Sequence, residues 1–356
     1  MHRELQNMSE ESLQNLEEIV EMELLTVEDI RNRLDVTEKG KIRQSIQNCK
    51  YALEHDPCLK GAICRNEMTC QIDIMKKMPW KRRGVHMTDT DMNNLALYLE
   101  KNYGLTSDRV ITKAIDIVAN ENSFHPILEY LESLKWDGTP RIQHMLTHFF
   151  GAEDIGYTGE VMKTHMMGAI RRLYEPGAKY DIMLCLVGGQ GTGKSTFFRY
   201  LAIKDEGFTD DMKRIDDKKV YEYLQGHWIV EMSEMNAVAN AKSIEETKSF
   251  LSRQKDTYRI PYERRAEDRS RQCVFCGTSN DLAFLPFDRT GNRRFGPVKV
   301  CPEKAEVTVY KNEKESREYI LQAWAEAMVI YKTEKILLTF SPDMEDYVKS
   351  LQKDFM

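Results

Sequence analysis

Up to Gly151 the apolar residues of this chain recur mainly at helical spacing, and beyond Asp181 they gather into short unbroken runs. The first pattern predicts helices. Residues 41–54 read as one, ended by Asp56-Pro57. Thr90 or Asp91 caps a second through Lys101, Ser107 or Asp108 a third through Val118, and Pro126 opens a fourth that stops before Trp136. From Arg141 onward Ile142, Met145, Leu146, Phe149 and Phe150 make one apolar face, which Gly151 ends. Residues 63–75 are short and mixed and are expected to include strands. The second pattern predicts buried strands over 182–187, 227–231 and 272–277. No internal repeat or low-complexity segment interrupts this order.

The first of these runs leads into Gly188, Gly189, Gln190, Gly191, Thr192, Gly193, Lys194, Ser195 and Thr196, a full match to G-x-x-x-x-G-K-[ST]. Phe197, Phe198, Tyr200 and Leu201 continue as a helix. Strand, glycine loop and helix N-terminus in that order form an anion cradle. Glycines let successive amides converge on a phosphate, and the helix dipole adds positive potential. All nine residues are therefore the expected nucleotide site, with Lys194 on the β- and γ-phosphates and Ser195 a ligand to Mg²⁺.

The other parts of a phosphoryl-transfer site follow in order. The second run ends in Glu231, suited to hold Mg²⁺ through its water shell, and Glu234 is suited to orient or deprotonate the attacking water; spacing leaves open which acid takes which task. The third run ends in Thr278-Ser279-Asn280, where Asn280 fits a sensor of the γ-phosphate or the lytic water, against the plainer reading of a turn at Ser279-Asn280-Asp281. No N-K-x-D guanine-reading motif follows, which favours ATP over GTP. Arg293 and Arg294 come next: one of them serves as an arginine finger for a neighbouring subunit's site, or both pair at the surface with Asp281 or Asp288.

Between the acid run and the sensor run lies a cation-dense segment: Arg253, Lys255, Arg259, Arg264, Arg265, Arg269 and Arg271, with Tyr258 and Tyr262 interleaved. Against Asp256, Glu263, Glu267 and Asp268 it nets +3, the composition a phosphodiester strand asks for, or that of a solvated charged hairpin. A smaller basic cluster, Lys81, Arg82 and Arg83, follows Pro79-Trp80.

Net charge is −6, but residues 1–30 carry nine carboxylates against Arg3 alone, which leaves the rest at +2. That acidic stretch reads as a solvated or partner-binding helix. The length, at 41% hydrophobic residues, suffices for one full α/β domain and a smaller one. No apolar run reaches the ~18 residues of a membrane span. The eight cysteines lie mostly in apolar segments, which fits a cytoplasmic protein; Cys273 and Cys276 lack the second half of a zinc site.

Several stretches together resemble the virulence-associated protein E (VapE) family of phages, prophages and pathogenicity islands. They are Phe124-His125-Pro126, Leu134-Lys135-Trp136-Asp137-Gly138-Thr139-Pro140-Arg141, Tyr180-Asp181, the glycine loop, Trp228-Ile229-Val230-Glu231, Tyr258-Arg259-Ile260-Pro261-Tyr262, Gly277-Thr278-Ser279-Asn280 and Thr290-Gly291-Asn292-Arg293-Arg294-Phe295. The resemblance implies an α/β P-loop NTPase core, AAA+-like and similar to superfamily 3 replicative helicases, working as a homo-oligomeric ring, a hexamer. It assigns Glu231 to the metal site, Asn280 to the sensor and Arg293 or Arg294 to the finger. Gly296 departs from the bulky aromatic that relatives often carry there. Many relatives join a primase domain to this core; residues 1–120 show no paired-carboxylate primase site, so a separate primase or replication initiator is the expected partner.

The organisation expected is an acidic segment (1–30), a mainly helical domain serving as DNA-binding or oligomerisation collar (31–139), the ATPase core (140–305) and a C-terminal helical segment (306–356). The activity expected is that of an ATP- and Mg²⁺-dependent DNA helicase or translocase acting on single-stranded or forked DNA. The alternatives are a nucleotide-switched assembly protein and a small-molecule kinase.

Overall fold

The computed structural model describes residues 25–153, 156–212, 220–233, 241–258, 267–283, 285 and 293–356, in two compact units, Met1–Pro126 and Ile127–Met356. The division falls before residues 134–141, so the Trp136-Asp137-Gly138-Thr139-Pro140 turn lies in the larger unit. Most of the acidic segment, 1–24, lies outside the described residues.

The first unit comprises α1 (Val27–Asn32), α2 (Ile46–His55), the antiparallel hairpin β1 (Ile63–Arg65) and β2 (Ile72–Ile74), α3 (Asp89–Tyr103) and α4 (Asp108–Glu121). Leu53, Leu95, Leu99, Ile111 and Ile115 fill its core. Two starts differ from the sequence expectation. α2 begins at Ile46 because Val36 bridges Ile42 across a turn at Gly40, and Ser45 then caps the helix. α3 is capped by Thr88, with Asp91 closing the reciprocal bond at the third helical position.

The second unit holds α5 (Pro126–Ser133), α6 (Met145–Phe150) and α7 (Tyr157–Tyr174), followed by β3 (Met183–Val187), α8 (Lys194–Leu201), β4 (Phe208–Thr209), α9 (Val220–Leu224), β5 (Ile229–Met232) and α10 (Ala241–Leu251). The hairpin strands β6 (Lys255–Tyr258) and β7 (Glu267–Ser270) come next, then β8 (Val274–Ser279), β9 (Phe295–Lys299), α11 (Glu313–Thr333) and α12 (Pro342–Leu351). Five strands form one parallel sheet in the order β4-β5-β8-β3-β9. Every residue of β3, β5 and β8 is buried, as expected of a parallel sheet covered on both faces. Met183, Cys185 and Val187 share one cluster with Phe250, Leu251 and Phe355, while α7 and α8 also pack on the sheet.

The Trp136-to-Arg141 stretch is structural. Arg141 binds Asp137 through two 2.7 Å bonds, and the buried Glu326 of α11 accepts the backbone amides of Arg141 and Ile142 at 2.6 and 3.0 Å. The indole of Trp136 donates to the Thr139 carbonyl.

Candidate functional site

The centre of the sheet creates the site. β8, which leads to Asn280, lies between β3, which leads to the glycine loop, and β5, which carries Glu231. The three segments that the sequence spreads over almost a hundred residues therefore end at one edge, on the C-terminal side of parallel strands.

The loop is held by its surroundings. The Gly188 amide donates to the Ser279 carbonyl at 3.0 Å, and a Cβ at Gly188 would stand 2.9 Å from Val300 Cβ. Gly193, at φ +87°, is the N-cap of α8; a Cβ there would meet Val309 Cγ1 at 2.4 Å and the Tyr310 ring at 3.1 Å. The Tyr310 hydroxyl donates to the Gly191 carbonyl at 3.1 Å. Val309 and Tyr310 thus cover the loop, a role with no signal in their sequence neighbourhood.

Lys194 is buried inside this cradle. Its Nζ donates to the carbonyls of Gly188 and Gly189, each at 2.7 Å, and lies 3.2 Å from Asn280 Oδ1. Burial lowers its pKa, and the field of Glu231 opposes that shift. Among the described residues no carboxylate forms an ion pair with it, so a buried cation faces the loop with neutral partners only. Such a centre fits a phosphate.

Glu231 is fully buried, and three hydroxyls converge on its Oε1: Thr278 at 2.6 Å, Ser195 at 2.8 Å and Ser233 at 3.2 Å. Its Oε2 is buried with no hydrogen-bond partner. Desolvation raises the carboxyl pKa, opposed by the three hydroxyls. A buried carboxylate oxygen left without a donor, beside a serine hydroxyl at the start of a helix, is a donor set that fits a hard divalent cation or its water shell. Thr278 and Ser233 are functional candidates that sequence reasoning missed. Thr278 was visible only as a hydroxyl in an apolar strand. It reaches Glu231 because Glu231 pairs in register with Cys276, two residues before it, and that register is a property of the sheet.

The remaining expected residues separate. Asn280 is exposed at the end of β8 beside Lys194. Arg294 is partly covered; its Nε lies 3.1 Å from Asp181 and donates to Ser252 at 2.9 Å, so its partner is neither Asp281 nor Asp288. Arg293 is exposed and makes no hydrogen bond or ion pair among the described residues. Glu234 lies outside the described residues, as do Arg259, Tyr262, Arg264 and Arg265.

Of the cation-dense segment, the described parts form the antiparallel hairpin β6–β7. Arg271 at its base is buried and binds Asp256 through both Nε and Nη2, at 2.6 and 2.9 Å, with its guanidinium 4.3 Å from the Phe250 ring centroid; it is a structural residue. Lys255 pairs with Asp268, Arg253 lies over Phe250 and donates to Tyr221, and Arg269 is mostly covered beside Glu267.

Among the described residues no helix is long and apolar enough to cross a membrane, no group of acidic, histidine or cysteine side chains forms a metal cluster, and no disulfide forms.

No curated protein matches the chain. Solved apo structures of the NrS-1 C-terminal region, one of them the A form, align with TM-scores of 0.46 at 13% identity, over 81% of this chain and 71% of theirs. The model of the virulence-associated protein E-like domain matches residues 131–356, which spans the whole parallel sheet and the glycine loop, and the chain belongs to that family.

Proposed function

We propose that this chain is a P-loop ATPase that moves along DNA, a helicase or translocase serving replication of a phage, prophage or pathogenicity island. One observation carries the reading: buried Glu231, with one carboxylate oxygen unpartnered and the other bonded to Ser195, sits across the sheet centre from a buried, anion-free Lys194.

In this reading the loop from Gly188 to Thr196 holds the triphosphate through its amides, and Lys194 exchanges the carbonyls of Gly188 and Gly189 for phosphate oxygens. Ser195 and Glu231 would hold Mg²⁺, which when bound neutralises charge on the phosphates. Asn280 orients the terminal phosphate or the water beside it. Glu231 or Glu234 takes the proton or aligns the water. Arg293, free of partners among the described residues, is the better finger toward a neighbouring subunit, whereas Arg294 is already committed to Asp181. The cation-dense segment with Arg253, Lys255, Arg259, Tyr262, Arg264, Arg265 and Arg269 is the element that grips single-stranded or forked DNA inside a homo-oligomeric ring, a hexamer in the family's manner. A separate primase or initiator completes the replication machinery.

The test is ATP hydrolysis with and without single-stranded DNA, beside displacement of a labelled strand from a forked duplex. DNA-stimulated turnover with displacement is expected. Turnover that ignores DNA and displaces nothing would return the chain to the class of nucleotide-switched assembly proteins.

A further inference from the structure

In the first unit, residues 75–88 contain five lysines and arginines and no carboxylate. They form the connection between β2 and α3, and its fold is fixed at several points. The Ile74 amide donates to the Val85 carbonyl and the Met87 amide to the Ile72 carbonyl. Arg82 spends its guanidinium on the connection itself: Nε donates to the buried Asp91 at 2.9 Å, and the other nitrogens to the carbonyls of Ile74, Val85 and His86. Asp91 also accepts the Trp80 indole at 2.9 Å. His86 is set by buried Asp73 at 2.6 Å, whose second oxygen accepts from Asn66. Met78 is buried beneath.

Arg82 is thus a fastener and has little left to give a ligand. The other four cations, Lys76, Lys77, Lys81 and Arg83, are exposed and make no hydrogen bond or ion pair among the described residues. Of the carboxylates that flank the connection, Asp73 and Asp91 are buried and turned to the fasteners, and exposed Asp89 forms no ion pair with these cations among the described residues. A closely fastened strap thus presents four exposed positive charges without an ion-pair partner among the described residues, a local positive field that attracts a polyanion.

We propose that this strap is a second DNA contact, one that reads the phosphodiester backbone and not the base sequence. A run of lysines favours phosphate over a protein partner, since lysine is depleted in protein interfaces and frequent on phosphates. The strap exposes only two large apolar side chains, Met75 and Val85, too few for the apolar centre a folded partner would need. The inference rests on the reading above for the choice of DNA among polyanions.

The test uses the full chain without nucleotide and a fluorescein-labelled single-stranded oligonucleotide, with affinity read by anisotropy across a salt series. Lys76→Gln, Lys77→Gln, Lys81→Gln and Arg83→Gln, combined, should weaken binding by at least ~10-fold and make the log–log salt slope shallower by about 3, four contacts each contributing about 0.7. The double variant Lys39→Gln/Lys41→Gln, which removes cations elsewhere in the same unit, should retain most of the affinity. An unchanged slope in the quadruple variant, or an equal loss in the double variant, overturns the strap. So does displacement of the oligonucleotide by polyglutamate as readily as by unlabelled DNA, which would make this a surface for acidic protein. If the unaltered chain binds no DNA at all, the DNA reading itself fails; if it binds and the quadruple variant binds as tightly as the parent, the strap alone fails. Unfolding temperatures of all variants should match the parent, because Arg82, His86 and Asp91 are untouched.

Discussion

The Ser195 hydroxyl lies 2.8 Å from Glu231 Oε1, and this bond links the start of α8 to a strand that is not β3's neighbour in the sheet. Burial leaves the acid poorly solvated, and the bond offsets only part of that cost. Because burial raises the folded pKa of Glu231, its charged form costs stability as pH rises through that pKa, and the cost lifts as pH falls. Glu231→Gln should therefore raise the unfolding temperature at pH 8 by a few degrees, about 1 kcal/mol, while ATP turnover falls by ~100-fold or more. The stability gain should shrink when the same pair is melted near pH 5. A variant that is less stable than the parent at pH 8 would contradict this account of the site.

Two adjacent arginines should respond differently. Arg294→Ala breaks the contacts with Asp181 and Ser252 and should cost about 1 kcal/mol, seen as a lower melting temperature. Arg293→Ala should leave stability within about 0.5 kcal/mol and reduce turnover by ~1000-fold if it acts as the finger. Mixing Arg293→Ala with Lys194→Ala, each inactive alone, should restore hydrolysis in mixed assemblies. Absence of recovery would argue against a site shared between subunits.

In the first unit, Asp91 gives a pH signature. Burial pushes its carboxyl up, but the Trp80 indole, Thr88 and Arg82 outweigh that and hold it at about 2. A depressed folded value means stability that is present above the ordinary carboxylate range and lost as pH falls toward 2. Asp91→Asn should melt lower than the parent at pH 7, and the gap should narrow between pH 4 and pH 2, as followed by circular dichroism at fixed ionic strength. A gap that stays constant over that range would show that its charge is not what matters.

The pair Arg271–Asp256 is buried on both sides, so removing one member strands the other. Arg271→Ala and Asp256→Ala should each cost about 3 kcal/mol, and the double variant should cost clearly less than their sum. Additive losses in urea titrations would mean the two side chains act independently.

Much of this was legible in the chain. The loop, the three buried runs and the Gly151 stop are local signals, carried by glycine spacing and unbroken apolar residues, and the strands appear where those signals lie. Helix starts were less legible. Thr88, Thr90 and Asp91 all have capping side chains, and the choice of Thr88 depends on Asp91 also serving Trp80 and Arg82 from across the connection. Pairings over long separations were not legible at all. Nothing near Thr278 or Tyr310 announces Glu231 or Gly191, and nothing near Arg294 announces Asp181, because each partnership is created by strand order and register.

That strand order has a mechanical side. β7 passes into β8 through only residues 271–273, and Arg271 in that joint is locked to Asp256 on the opposite arm of the hairpin. The far end of β8 bears Thr278 against Glu231 and leads to Asn280 against Lys194. The hairpin base and the edge that carries Glu231 and Lys194 are thus tied to opposite ends of a single central strand. A shift of β8 along its own axis would therefore alter the contacts at both ends together.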